Sequence, residues 1–158
     1  MAIRDPIAVF LQEHETALVQ LQILKRSASE IKKKGYSEKT FRQLLKATEF
    51  VDEEVRVHNG KEEKALFPVV EKYVDGPTTV LREDHVKMAR IYKKLHYSIE
   101  VLTENHDDKT ARAELGEAAE AIVHLMVNHI HKENQILFPL VKRFLTKEQL
   151  RKVAQRML

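Results

Sequence analysis

Apolar residues, with a few His and Glu among them, recur at helical spacing along almost the whole chain. Ile7, Leu11, His14, Leu18, Leu21 and Ala28 step by three, four or seven and make one seam. Asp5 before Pro6 reads as an N-cap with proline at the first helical position, and Gly35 after Lys32-Lys33-Lys34 reads as the stop. Ser37 caps a second helix, whose seam runs Phe41, Leu44, Leu45, Thr48, Val51, Val55, His58 and Glu62 until Pro68 kinks or breaks it. After the turn Asp75-Gly76-Pro77, Thr78 or Thr79 caps a third helix with Leu81, His85, Met88, Tyr92, Leu95, Ile99 and Leu102 on one face. Asn105 to Asp108 is a polar loop. The fourth helix carries Leu115, Ala118, Ile122, Met126, His129, Glu133 and Ile136, and meets Pro139 near its end.

Thr146 and Gln149 form the pattern of a capping box. It opens a short last helix with Leu150, Val153 and Met157 on one side. No segment alternates with the period of a strand. The expected fold is all-α: an up-down-up-down four-helix bundle over residues 1–145, with a short C-terminal helix over 146–158 packed on the bundle or at an interface.

The chain repeats itself. Adding 71 to a position in the first half carries His14 to His85, His58 to His129, Glu62 to Glu133, and Leu66-Phe67-Pro68 to Leu137-Phe138-Pro139, with no gap. The halves, 1–74 and 75–145, should therefore be related by an approximate twofold axis. Elsewhere they diverge: Leu21 maps to Tyr92, Lys25 to His96 and Phe41 to Arg112. A duplication kept only for packing has little reason to retain His and Glu in particular.

Residues four apart on an α-helix lie about 40° apart around its axis, so His58 and Glu62 share a face, as do His129 and Glu133. All six repeated His and Glu fall on the seams and so face the interior. Two Glu and four His are costly in an apolar core unless something pairs with them. A metal pair answers this: imidazole suits Fe, Zn, Cu and Ni, and a carboxylate can bridge two cations. One Glu from each half bridges, four His cap, and one oxide or hydroxide completes about five ligands per metal, leaving an open position.

The other four His do not fit. His124 and His131 lie about 140° and 200° from His129 around the helix and point outward. His106 is in the loop, and His96, whose counterpart is Lys25, belongs at the boundary or in solvent. Tyr92, two turns after His85, reads as a core aromatic, with a hydrogen bond to a metal ligand as the alternative. Met88 and Met126 pack near the site, and Leu18 and Ala89 wall its pocket.

Composition narrows the setting. The 158 residues carry 27 basic and 24 acidic side chains and no Cys. That balance gives no sign of a nucleic-acid surface, and the basic residues near 32–34 and in the tail read as solvated helix ends. The absence of Cys excludes disulfides, thiolate metal sites and a Cys nucleophile. No apolar run is long enough to span a membrane. The Met1-Ala2-Ile3 start lacks the pattern of a signal peptide, so a cytoplasmic protein is expected.

These motifs, His14, His58-x-x-x-Glu62 with Leu-Phe-Pro, His85, and His129-x-x-x-Glu133 with Leu-Phe-Pro, resemble the hemerythrin-like HHE cation-binding family over roughly residues 5 to 145. The resemblance implies a four-helix bundle holding two iron ions. It implies His14, His58, His85 and His129 as terminal ligands and Glu62 and Glu133 as bridging carboxylates, with an oxo or hydroxo bridge. The chain departs from the oxygen carriers: Ala89 stands where they place a fifth His, and Asn134 where they place an Asp. The missing His argues against reversible oxygen carriage and for redox turnover or sensing.

The expected function is a non-haem di-iron protein that binds or reacts with O2, NO or peroxide. The alternatives are iron storage or delivery without turnover, and a peroxide- or NO-scavenging enzyme. No separate signalling or Cys-containing repair domain is legible, which favours scavenging, storage or redox work over sensing. The expected partner is the small ligand itself, without nucleic acid or membrane, in a monomer or homodimer.

Overall fold

The computed structural model describes residues 4–158, so the reading of the Met1-Ala2-Ile3 start lies outside the described residues. Helix α1 spans Pro6–Lys34, with the Asp5 carboxylate accepting from the Ile7 N–H. Helix α2 covers 38–70, α3 Pro77–Glu104, α4 covers 109–144 and α5 Lys147–Arg156. No strand occurs among the described residues, and the all-α bundle expected from the seams is what the chain forms. None of these helices is long and apolar enough to cross a membrane.

Short connections make consecutive helices antiparallel; α1 packs on α2 and α4, and α3 on α4. Ser37 and Asp108 cap α2 and α4 by accepting from the Thr40 and Ala111 N–H groups, and Thr146 and Gln149 close their capping box around the start of α5. The start of α3 differs from expectation. Gly76, at φ +106°, precedes Pro77 without a side-chain cap, and Thr78 lies inside the helix, donating its hydroxyl to Glu71 at 2.8 Å. Proline fixes the first turn and needs no N–H partner there, so the threonine is free to tie α3 to the end of α2.

Neither Pro68 nor Pro139 breaks its helix. In both halves one wide π turn, Glu62–Leu66 and Glu133–Leu137, precedes the proline. The Phe67 and Phe138 N–H groups donate five residues back, to the Glu62 and Glu133 carbonyls. The wider turn eases the clash that a proline ring makes with the carbonyl four residues earlier. It also takes up an extra residue, which shifts the seam: Leu137 is fully buried and Ile136 is 53% exposed, the reverse of the α-helical expectation. A further π turn, Val51–Val55, has no counterpart in the second half.

The seam of α1 is also displaced. Phe10, Ala17, Leu24 and Ile31 are buried, whereas Leu11 and Leu18 sit at its edge; on α2 Leu45 is exposed and Ala47 buried. Two apolar clusters result. One runs from Ala17, Val55, Met88 and Met126 towards the Gly35 end, and the other holds Ile7, Phe10, Leu66, Phe67, Leu137 and Phe138. Val153 of α5 is buried in the second cluster, with Leu150 and Met157 beside it. The repeated His and Glu form the polar layer between the two.

Candidate metal centre

All six repeated residues meet in this layer. His14, His58, His85 and His129 are 3 to 7% exposed, and Glu62 and Glu133 are completely buried. Each half supplies a His pair whose Nε2 atoms face one another, His14 with His58 and His85 with His129, both at 3.2 Å. The carboxylates lie between the pairs. Glu62 Oε1 is 3.4 Å from both His58 Nε2 and His85 Nε2, and Glu133 Oε1 is 3.0 Å from His14 Nε2 and 3.2 Å from His129 Nε2. Each Glu thus spans the two halves. The donor atoms fall into two overlapping groups, His14, His58, Glu62 and Glu133 in one, and Glu62, His85 and His129 in the other.

None of the four carboxylate oxygens has a hydrogen-bond partner. Burial, followed by the charge of Glu133, pushes Glu62 up to about 7. Burial also works to raise Glu133, but its close polar neighbours Glu62, His129, His14 and His58 hold it well below the ordinary range. His58 is raised: burial lowers it, and Glu62, Glu13 and Glu133 outweigh that. Two adjacent buried carboxylates therefore call for positive charge, and imidazole nitrogen with carboxylate oxygen is a donor set that suits iron. The residues fit a metal centre.

The outward-facing Nδ1 atoms follow the same register. His14 Nδ1 meets Asn134 Oδ1 at 2.7 Å, and His85 Nδ1 meets Glu63 Oε1 at 2.7 Å. His129 Nδ1 meets Asp84 Oδ2 at 3.1 Å, and His58 Nδ1 faces Glu13 Oε2 at 3.6 Å. Carboxylates accept only, so at His85 and His129 the Nδ1 proton points outward and the Nε2 lone pair inward, the tautomer a metal needs. Lys61 and Lys132 then pair with Glu13 and Asp84, at 3.4 and 2.7 Å. Adding 71 relates Glu13 to Asp84, Lys61 to Lys132 and Glu63 to Asn134. Sequence reasoning missed this outer ring, although the register that exposed the His and Glu also carries it.

Two cavities approach the centre. One, of about 400 Å³, reaches His14, His58 and His129 past Glu13 and Lys61. The other, of about 550 Å³, reaches His85 past Glu63, Ala89 and Tyr92. Met88 and Met126 line both. Ala89 walls the second cavity but is exposed, whereas Ala17 rather than Leu18 walls the first. Tyr92 is half-buried and its ring stacks on His96 at 6.0 Å. The remaining His stand outside the cluster: His96 pairs with Glu100, His106 stacks on Tyr36, His124 meets Asn128, and His131 is exposed.

A family model described as the hemerythrin HHE cation binding domain matches residues 5–141. The chain is also similar to the iron-sulfur cluster repair protein YtfE of Cronobacter sakazakii (strain ATCC BAA-894), with 26% identity over 100 residues. That match covers 61% of this chain and 45% of the relative, so the chain spans less than half the length of the curated relative it matches.

Proposed function

We propose that this chain, which belongs to the hemerythrin HHE cation-binding domain family, holds two iron ions in its buried His and Glu layer and uses them to bind or react with a small ligand. Glu62 and Glu133 would be shared between the ions, with His14 and His58 holding one and His85 and His129 the other. The observation that carries this reading is the meeting of four inward Nε2 atoms with four carboxylate oxygens that have no hydrogen-bond donor. Bound iron supplies redox chemistry and an open position. The protein's own part is to orient the imidazoles, bury the carboxylates and admit a small molecule through the two cavities. O2, NO and peroxide match that access and the redox character of the metal.

The likeness to an iron-sulfur cluster repair protein favours a second reading, in which iron is stored and handed on. The two separate on exposing the iron-loaded chain to O2, NO and peroxide and recording its visible spectrum. A reversible spectral change, or consumption of ligand over many equivalents, supports the first reading. No change with any ligand, together with ready loss of iron to an acceptor, supports the second.

A further inference from the structure

The repeat is broken at the Nδ1 atoms. On the His85 and His129 side both rings hydrogen-bond to a carboxylate, Glu63 at 2.7 Å and Asp84 at 3.1 Å. On the other side His14 meets only the neutral carboxamide of Asn134 at 2.7 Å. His58 Nδ1 is buried with no hydrogen bond, Glu13 standing at 3.6 Å. Lys132 sits closer to Asp84, at 2.7 Å, than Lys61 to Glu13, at 3.4 Å, which offsets part of the difference at His129 and leaves the Glu63 contact to His85 untouched. Burial strengthens only the Asp84 contact: its side chain is 4% exposed, against 27% for Glu13 and 41% for Glu63.

A carboxylate that accepts the Nδ1 proton makes the imidazole a stronger donor at Nε2 and holds the ring in its ligating orientation; such partners are worth roughly 10- to 100-fold in metal affinity. A carboxamide does less, and so does a carboxylate standing beyond hydrogen-bond distance, as Glu13 does from His58. We propose that the two metal positions are unequal: the one between His85 and His129 fills first and holds its ion more tightly, and the one between His14 and His58 fills last and exchanges. Glu63 and Asp84 act as positioning residues, and Asn134 marks the weaker position. This rests on the two-metal reading above.

The test is the binding isotherm of Co(II) on the metal-free full chain, followed by visible absorption. Two steps, separated by roughly 10-fold or more in affinity, are expected. Glu63→Gln should weaken the first step by roughly 10- to 100-fold, and Asn134→Asp should strengthen the second. Both substitutions conserve shape and are expected to act in opposite directions, so general damage to the fold cannot mimic them. Two ions entering in one step, or Glu63→Gln weakening only the second step, overturns the inequality and leaves the two-metal reading standing. Fewer than two ions bound overturns that reading itself.

Discussion

Phe138 lies against the imidazole of His14, with ring centroids 5.5 Å apart and planes 19° apart. Phe67 lies on His85 in the same way, at 5.8 Å and 18°. The repeated Leu-Phe-Pro is thus tied to the site: each π turn delivers its phenylalanine onto a histidine of the opposite half. Phe138→Ala should cost about 3 to 5 kcal/mol in denaturant unfolding of the loaded protein. It should also speed loss of metal to a chelator. Unchanged stability would show that the ring does not clamp His14.

Glu62 and Glu133 are the bridging carboxylates of this account. Glu62→Ala or Glu133→Ala should lower metal content from two ions per chain towards one or none, read by elemental analysis of the purified variant. The doubly substituted protein still holding two ions would remove the bridging assignment.

His124 and His131 serve as internal controls. Both are exposed, and neither Nδ1 nor Nε2 approaches the Nε2 cluster. Replacing either with Ala should leave metal content unchanged. Loss of metal would place the site on a different face of α4.

The π turn at Glu133 makes a packing claim that helical periodicity does not. Leu137→Ala should destabilise by about 2 to 5 kcal/mol, whereas Ile136→Ala should stay within about 0.5 kcal/mol. Equal effects in equilibrium unfolding would mean that α4 keeps ordinary α-helical phase past Glu133.

The features legible in the sequence are those carried by single-helix periodicity and by the 71-residue register. Asp5, Ser37 and the Thr146/Gln149 box mark helix starts because their side chains cap locally, and the repeat picks out His14, His58, Glu62, His85, His129 and Glu133 without reference to packing. Less legible was anything set between helices. Leu11 and Leu18 have the right spacing, but contact with α2 and α4 selects Phe10 and Ala17. Ile136 yields to Leu137 because a π turn leaves no mark in apolar spacing, although a proline six residues after a seam Glu hints at one. Glu13, Glu63 and Asp84 look like ordinary solvent-facing acids. Their role exists only through His58, His85 and His129 on neighbouring helices, and only comparison of both halves exposes it.

The most direct measurement of the central claim is the iron content of the loaded protein, taken together with its X-ray absorption spectrum. The account expects two irons per chain, a metal–metal scattering shell and about two imidazoles per iron. One iron per chain, or two irons without a metal–metal shell, would contradict a pair bridged by Glu62 and Glu133.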